Sequence, residues 1–199
     1  MVWHSIELTA ARLVALRARR KWYRRLARRA AVALPLRQGE AGVEVLMIER
    51  AARAGDRWSG QMAFPGGMVD PLDRTILDAA LRETREEVGL DLAQHGRLLA
   101  RLSDVSPTSR PGIGRFMVIT PYVYQLQQLP PLTLNHEVAG LLWVPLATIA
   151  DPSQRQIMEY RGEGKLRRLP YYTVAGKRVW GLSLRMLDEL VQYLADRDL

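Results

Sequence analysis

The sequence predicts one α/β domain carrying a basic amphipathic helix at its N-terminal end. Three observations lead there. Short β-like runs alternate with helical periodicity at 75–88 and 184–194. The 199 residues are 48% hydrophobic and 25% charged, the balance of a chain that buries a core. Finally, 29 Lys+Arg against 21 Asp+Glu give a net charge of +8 with a local source. Residues 12–29 hold nine basic side chains and no acid, so the remainder of the chain is close to −1.

Residues 8–29 read as a helix, because Leu13, Leu16, Trp22, Tyr23 and Leu26 lie among arginines with no Pro or Gly to interrupt them. Ala30–Leu36 and Val43–Glu49 follow as two strands around a Gln38–Gly42 turn. A polar loop over 50–60 leads to Gln61–Phe64 and the abrupt Pro65-Gly66-Gly67. Between Thr75 and Val88 an apolar stripe of Leu77, Leu81, Thr84 and Val88 predicts a helix, ended by Gly89. Leu98–Asp104, Phe116–Gln125 and Leu141–Val144 read as strands, and Ser106–Gly114 as a loop of functional character. Tyr171–Val174 and Lys177–Trp180 form a hairpin around Ala175-Gly176. Leu184, Leu187, Val191 and Leu194 mark a closing amphipathic helix.

Several classes are excluded. The chain has no cysteine, which removes disulfides, thiolate metal sites and cysteine nucleophiles. The longest apolar run, near 139–150, contains Pro145 and falls short of the roughly 20 residues that span a bilayer. The basic N-terminal stretch lacks the compact apolar run of a secretory signal, and a cytoplasmic location is expected, with an Arg-rich organelle presequence as the alternative.

The informative stretch is Arg82-Glu83-Thr84-Arg85-Glu86-Glu87-Val88-Gly89-Leu90. On a helix, Glu83, Glu86 and Glu87 project within an arc of about 100°, on a different side from the apolar stripe. Like charges so placed repel, and Arg82 and Arg85 offset this only in part. A hard divalent cation, Mg²⁺ or Mn²⁺, resolves the conflict. A solvated Glu/Arg face is the plain alternative for such a triplet taken alone. The strand and Gly-Gly corner preceding it make the kind of strand–loop–helix unit that places phosphates and metals.

Phe64-Pro65-Gly66-Gly67, followed by this helix, resembles the Nudix box. The Arg-Glu-x-x-Glu-Glu-x-Gly half matches residue for residue. The interval from Gly67 to Arg82 is one residue longer than usual, and the glutamate expected within it is missing, with Asp73 or Arg74 nearest its place. A longer loop of this kind is shared by the coenzyme A diphosphatase-like branch of the family. Gly60-Gln61-Met62-Ala63-Phe64-Pro65-Gly66-Gly67, Asp70-Pro71-x-Asp73, Asn135-x-Glu137-Val138, Trp143-Val144-Pro145-Leu146 and Trp180-Gly181-Leu182-Ser183 are similar to that branch's landmarks. Its upstream signature is met in part. Leu46, Arg50 and Ala51 fit, Met47 and Ile48 do not, and Asp56, with Arg57 beside it, stands at an arginine position.

This resemblance implies a Nudix-type α/β/α sandwich with a mixed sheet, spanning 30–199, preceded by the basic helix at 1–29. It implies metal-dependent hydrolysis of a diphosphate linkage in a small-molecule nucleoside diphosphate derivative. Coenzyme A or acyl-coenzyme A is the expected substrate, with ADP-ribose, NADH or another nucleotide as alternatives. Glu83 and Glu87 are implied as ligands of Mg²⁺ or Mn²⁺, joined by Glu86 and the Gly66 carbonyl. Glu86 is also implied as a catalytic carboxylate that activates water, Glu137 is a candidate base or additional ligand, and Arg82 is implied as the residue that orients the helix carboxylates. Arg50, Arg53, Arg57, Phe64, Gly67 and Ser106 are placed at the substrate, with Thr108 and Arg110 bordering the pocket. Trp143 and Trp180 read as core residues rather than base-stacking platforms. His136 beside Glu137 is a weak acid–base candidate.

The basic segment fits several uses: nucleic-acid phosphates, an anionic membrane surface, organelle targeting, or docking on its own domain or a homodimer partner. A Nudix-fold module that binds nucleic acid or protein is therefore the rival to an enzyme, although such a module has no need for three clustered glutamates.

Overall fold

The computed structural model describes residues 2–55, 58–107, 117–162 and 165–195. Its first elements in chain order are α1 (Ile6–Leu13), β1 (Arg28–Gly39), β2 (Gly42–Arg50), β3 (Met62–Ala63), β4 (Gly66–Met68) and α2 (Ile76–Val88). Then come α3 (Leu92–His95), β5 (Gly96–Arg101), β6 (Met117–Leu126), β7 (Val138–Pro145) and α4 (Leu146–Ala150). A three-stranded antiparallel sheet, β8 (Gln156–Gly162), β9 (Lys165–Val174) and β10 (Lys177–Trp180), precedes the closing helix α5 (Gly181–Ala195). Among the described residues no helix is long and apolar enough to cross a membrane.

Alternation along the first hairpin sets the layers. Leu34 and Leu36 of β1, with Val43, Val45 and Met47 of β2, face one core, which α1 closes with Ile6, Ala10 and Leu13 and α5 with Leu184, Leu187 and Leu190. The intervening Ala31, Ala33, Leu46 and Ile48 face the opposite way, onto Ala79, Ala80 and Val88 of α2. A strand's period of two thus buries both faces, and helices cover each side of the sheet. The result is a Nudix-type α/β sandwich around a mixed sheet: β1 runs parallel to β6 and antiparallel to β2.

The site is positioned by a split in that hairpin. β1 and β2 pair from Leu36↔Val45 to the turn. Further along, β2 pairs with β3 at Ile48↔Ala63 and β1 with β4 at Ala31↔Gly67. The β3–β4 corner therefore lies between the two strands, and Ser183 of α5 pins it by donating to the Met62 carbonyl at 3.1 Å.

Helix α2 begins at Thr75 with a reciprocal capping box to Asp78 and ends at Gly89 in the left-handed region at φ 71°. The segment 133–135 folds back over that end. Thr133 N–H donates to the Val88 carbonyl and Asn135 N–H to the Glu87 carbonyl, both at 3.0 Å.

The structure corrects the expected basic helix over 8–29. Helix α1 stops at Leu13, residues 16–21 have no regular secondary structure, Trp22–Arg25 form a single 3₁₀ turn, and Arg28 and Arg29 already belong to β1. The reason is tertiary. The backbone around Arg19 and Lys21 bonds to Ser103 and Asp104 instead of to itself, while arginines crowded on a helix repel one another.

The α2 stripe also shifts. Leu77 and Leu81 are only half-buried, whereas Ala79, Ala80, Thr84, Glu87 and Val88 are buried, because small residues let the helix lie close to the sheet. The strand expected at 98–104 ends at Arg101, and β8 was not anticipated. Most of the loop read at Ser106–Gly114 lies outside the described residues.

Candidate active site

Two backbone features bring the carboxylates together: the β3–β4 corner meets α2 from the sheet side, and the 133–137 segment meets it over its C-terminal end. Between them lies a cleft of about 480 Å³ lined by Glu83, Glu86, Glu87, Glu137, Arg50, Gly66, Gly67, Met68, Asn135 and His136.

Glu87 sits deepest, 2% exposed, and its Oε2 accepts the Gly66 N–H at 2.8 Å. Burial pushes its carboxyl up to about 7, against the lowering effect of that N–H, and the Glu83 carboxylate pushes the same way. Glu83 is also raised, first by burial, with Arg82 opposing and Glu86 and Glu137 reinforcing. Burial and mutual repulsion thus both work against full ionisation of this cluster.

Arg82 organises the cluster. Its Nη1 reaches Glu83 Oε1 at 2.8 Å and Glu86 Oε2 at 3.3 Å. Its Nε and Nη2 donate to the two oxygens of Asp73 at 3.2 and 3.1 Å, and Nη2 also donates to the Met68 carbonyl at 3.1 Å. Asp73, its side chain 5% exposed, is held below the usual carboxylate range chiefly by that bond. The acid missing from the expected place in the box is thus supplied by Asp73, from a turn in which its Oδ2 also accepts the Asp70 N–H at 2.7 Å. The fork fixes Arg82, and Arg82 fixes two glutamates.

Glycine at 67 gives the Glu83 carboxylate its room. A Cβ there would run into the carboxylate of Glu83.

Glu137 is aimed by its neighbours. Its N–H donates to Asn135 Oδ1 at 2.8 Å, and Arg53 Nη2 pairs with its Oε1 at 2.9 Å. His136 Nε2 stands 3.9 Å from the same oxygen, with an 80% exposed side chain.

Of the residues expected here, the structure places Glu83, Glu86, Glu87, Glu137, Arg50, Gly66 and Gly67 on the cleft, with Arg82 immediately behind. Arg53 touches it through Glu137. Phe64 does not line it: the ring is 3% exposed in the core beside Met62. Ser106 lies off the cleft lining, its hydroxyl 3.0 Å from the Tyr23 hydroxyl. Arg57, Thr108 and Arg110 fall outside the described residues. Trp143 is half-buried against the core under the Arg37 guanidinium, whereas Trp180 is half-buried against the exposed Tyr160, outside both core clusters. Met68 and the orienting role of Asn135 were missed, and a backbone carbonyl such as that of Met68 leaves no mark in a sequence.

Among the described residues no three acids or histidines already stand in a metal-holding arrangement. The geometry gives the reason: Arg82 engages Glu83 and Glu86, and the Gly66 N–H engages Glu87. The donors are nonetheless all hard oxygens on one wall, and they fit Mg²⁺ or Mn²⁺.

A strand–loop–helix unit with this glycine corner and this glutamate triad defines the Nudix class of fold. The chain belongs to the Nudix family: the model of the NUDIX domain matches residues 27–160. It is 32% identical over 150 residues to an uncharacterized Nudix hydrolase, NudL, of Photorhabdus laumondii, covering 74% of this chain and 75% of that protein. It is 39% identical over 110 residues to an uncharacterized protein of Schizosaccharomyces pombe, covering 54% of this chain and only 33% of the longer relative. A MutT/nudix family protein from Enterococcus faecalis superposes with a TM-score of 0.55 over 96% of this chain and 70% of that one, at 18% identity.

Proposed function

We propose that residues 30–199 form a metal-dependent diphosphatase whose substrate is coenzyme A or acyl-coenzyme A, split into 3′,5′-ADP and (acyl-)4′-phosphopantetheine. As a Nudix hydrolase the protein acts on a diphosphate-containing substrate; the metal and the particular substrate are the proposed part. The observation that carries the reading is the convergence of Glu83, Glu86, Glu87 and Glu137 on one cleft beside Gly66 and Gly67.

Glu83, Glu87, Glu86 and the Gly66 carbonyl would hold Mg²⁺ or Mn²⁺, which when bound neutralises diphosphate charge and acidifies water. The chain's own residues do the rest. Arg82, anchored on Asp73, holds Glu83 and Glu86 by one carboxylate oxygen each and so keeps both on the wall of the cleft. Gly67, without a side chain, leaves the Glu83 carboxylate its place on the wall. Glu86 and Glu137 are the more exposed carboxylates of the cleft, with side chains 52% and 35% accessible, and one of them takes the proton as water attacks phosphorus. The bridging P–O bond then breaks, leaving two phosphate monoesters. Arg50, on the cleft, and Arg53, beside Glu137, supply positive charge to substrate phosphates.

Coenzyme A is favoured by the likeness of 60–67 and 70–73 to the coenzyme A diphosphatase branch, and Asp73 of that second motif is the anchor of Arg82. The test is chromatographic. Protein with Mg²⁺ or Mn²⁺ is offered coenzyme A, acyl-coenzyme A, ADP-ribose and NADH separately. Release of 3′,5′-ADP from the first two supports the proposal, and preferential turnover of ADP-ribose or NADH moves the substrate while keeping the site.

A further inference from the structure

The basic segment, unused by the catalytic cleft, is a built surface. Arg17, Arg19, Arg20, Arg25, Arg28 and Arg29 are exposed on it. Among them stand two large, largely uncovered apolar side chains: Trp22, 87% exposed, opens the 3₁₀ turn with its ring edge-on to Tyr23, and Leu26, 84% exposed, closes it. Val14, capping α1, adds a third at 77%. Burying any of these would cost the protein nothing in charge desolvation, yet the fold leaves them in water.

The segment is also fastened. Arg19 N–H donates to Ser103 Oγ, and Asp104 N–H to the Arg19 carbonyl, both at 2.9 Å. Lys21 N–H donates to Asp104 Oδ2 at 2.9 Å, and Arg24 Nε lies 3.5 Å from the same oxygen. The Asp104 side chain is fully buried and is matched by Arg101 and by the Thr120 hydroxyl at 2.9 Å. Tyr23 is tied to Ser106. These bonds occupy the inward-facing groups and leave Trp22, Leu26 and the arginines pointing to solvent. Little backbone entropy remains to be lost when a partner arrives.

We propose that this strap docks the protein on an anionic lipid surface, with Trp22 and Leu26 entering the headgroup region and the arginines meeting lipid phosphates. The charge requires an anionic partner, and each basic residue near such a surface adds favourable binding that salt screens. The apolar pair decides the class of partner. Tryptophan prefers the membrane–water interface, and an uncovered leucine gains from an acyl boundary but has little to gain on a phosphodiester backbone. Nucleic acid accounts for the arginines and leaves Leu26 and Val14 unexplained.

The experiment is co-sedimentation of the full chain with vesicles of phosphatidylcholine alone and of phosphatidylcholine mixed with phosphatidylserine. A double-stranded DNA titration is run in parallel at the same salt. The protein is expected to sediment with the mixed vesicles and not with phosphatidylcholine alone. The double variant Trp22→Ala, Leu26→Ala should lose about tenfold or more in partitioning, by removal of interfacial apolar area. Both positions are exposed, and an unchanged thermal transition confirms that the variant is folded. Equal sedimentation of the double variant overturns apolar insertion. Absence of binding to the mixed vesicles overturns the proposal outright, as does tighter DNA binding that the double variant retains in full.

Discussion

Glu87 carries the clearest consequence at the scale of one side chain. Its carboxyl, ordinarily near 4.5, is pushed up to about 7 by burial. Without metal, the folded state therefore keeps a proton that the unfolded chain has released, and this group's contribution makes stability fall as pH rises from about 4.5 through about 7. Glu87→Gln removes that penalty. Thermal unfolding in EDTA should show the variant more stable than the parent at pH 8, with the difference closing towards pH 4.5. Divalent cation should stabilise the parent and not the variant. Asp73 is the second residue of consequence, since it touches Arg82 rather than the substrate. Asp73→Asn weakens the fork, and turnover should fall about 10–100-fold, as for other residues that orient a ligand, with a smaller fall in melting temperature from the lost ion pair. Restoration by Asp73→Glu would separate loss of charge from loss of shape. Glu83, Glu86 and Glu87 were legible in the sequence because their spacing makes an improbable cluster. Their unequal burial was not, because it depends on where the 133–135 segment and the β3–β4 corner come to rest.

At the scale of elements, what the sequence reveals is what local pattern encodes. The β1–β2 hairpin, helix α2 with its Thr75 start and Gly89 stop, the β9–β10 turn and α5 all announce themselves by period and punctuation. The N-terminal segment misleads for the same reason. Its arginines have good helix propensity, and the preference is overridden by backbone bonds to Ser103 and to a buried Asp104 more than 80 positions away. The β3–β4 corner is legible as a glycine signal but not as an insertion between two strands, which is a property of pairing. Its tight approach to α2 makes a sharp prediction. Gly67→Ala drives a methyl into the Glu83 carboxylate, so turnover should collapse, while circular dichroism and the melting temperature change little, since Glu83 can swing away.

For the molecule as a whole, the strap and the sheet depend on one buried anion. Asp104 holds Lys21 N–H, Arg24, Arg101 and Thr120 together, joining residues before β1 to those after β5. Asp104→Ala strands two arginines at that joint and should cost about 3–5 kcal/mol in denaturant titrations. The cleft lies elsewhere, so kcat measured on the remaining folded enzyme should hold. The proposed chemistry is hydrolysis of a diphosphate with a bound cation in the cleft of Glu83, Glu86, Glu87 and Glu137. Its most direct test is product formation from the best substrate of the panel, with Mg²⁺ or Mn²⁺ and with EDTA, in the parent and in Glu87→Gln. Turnover should need the cation and should fall by about a thousandfold in the variant, the scale of losing a principal electrostatic group. Turnover that survives EDTA, or that Glu87→Gln leaves intact, would contradict it.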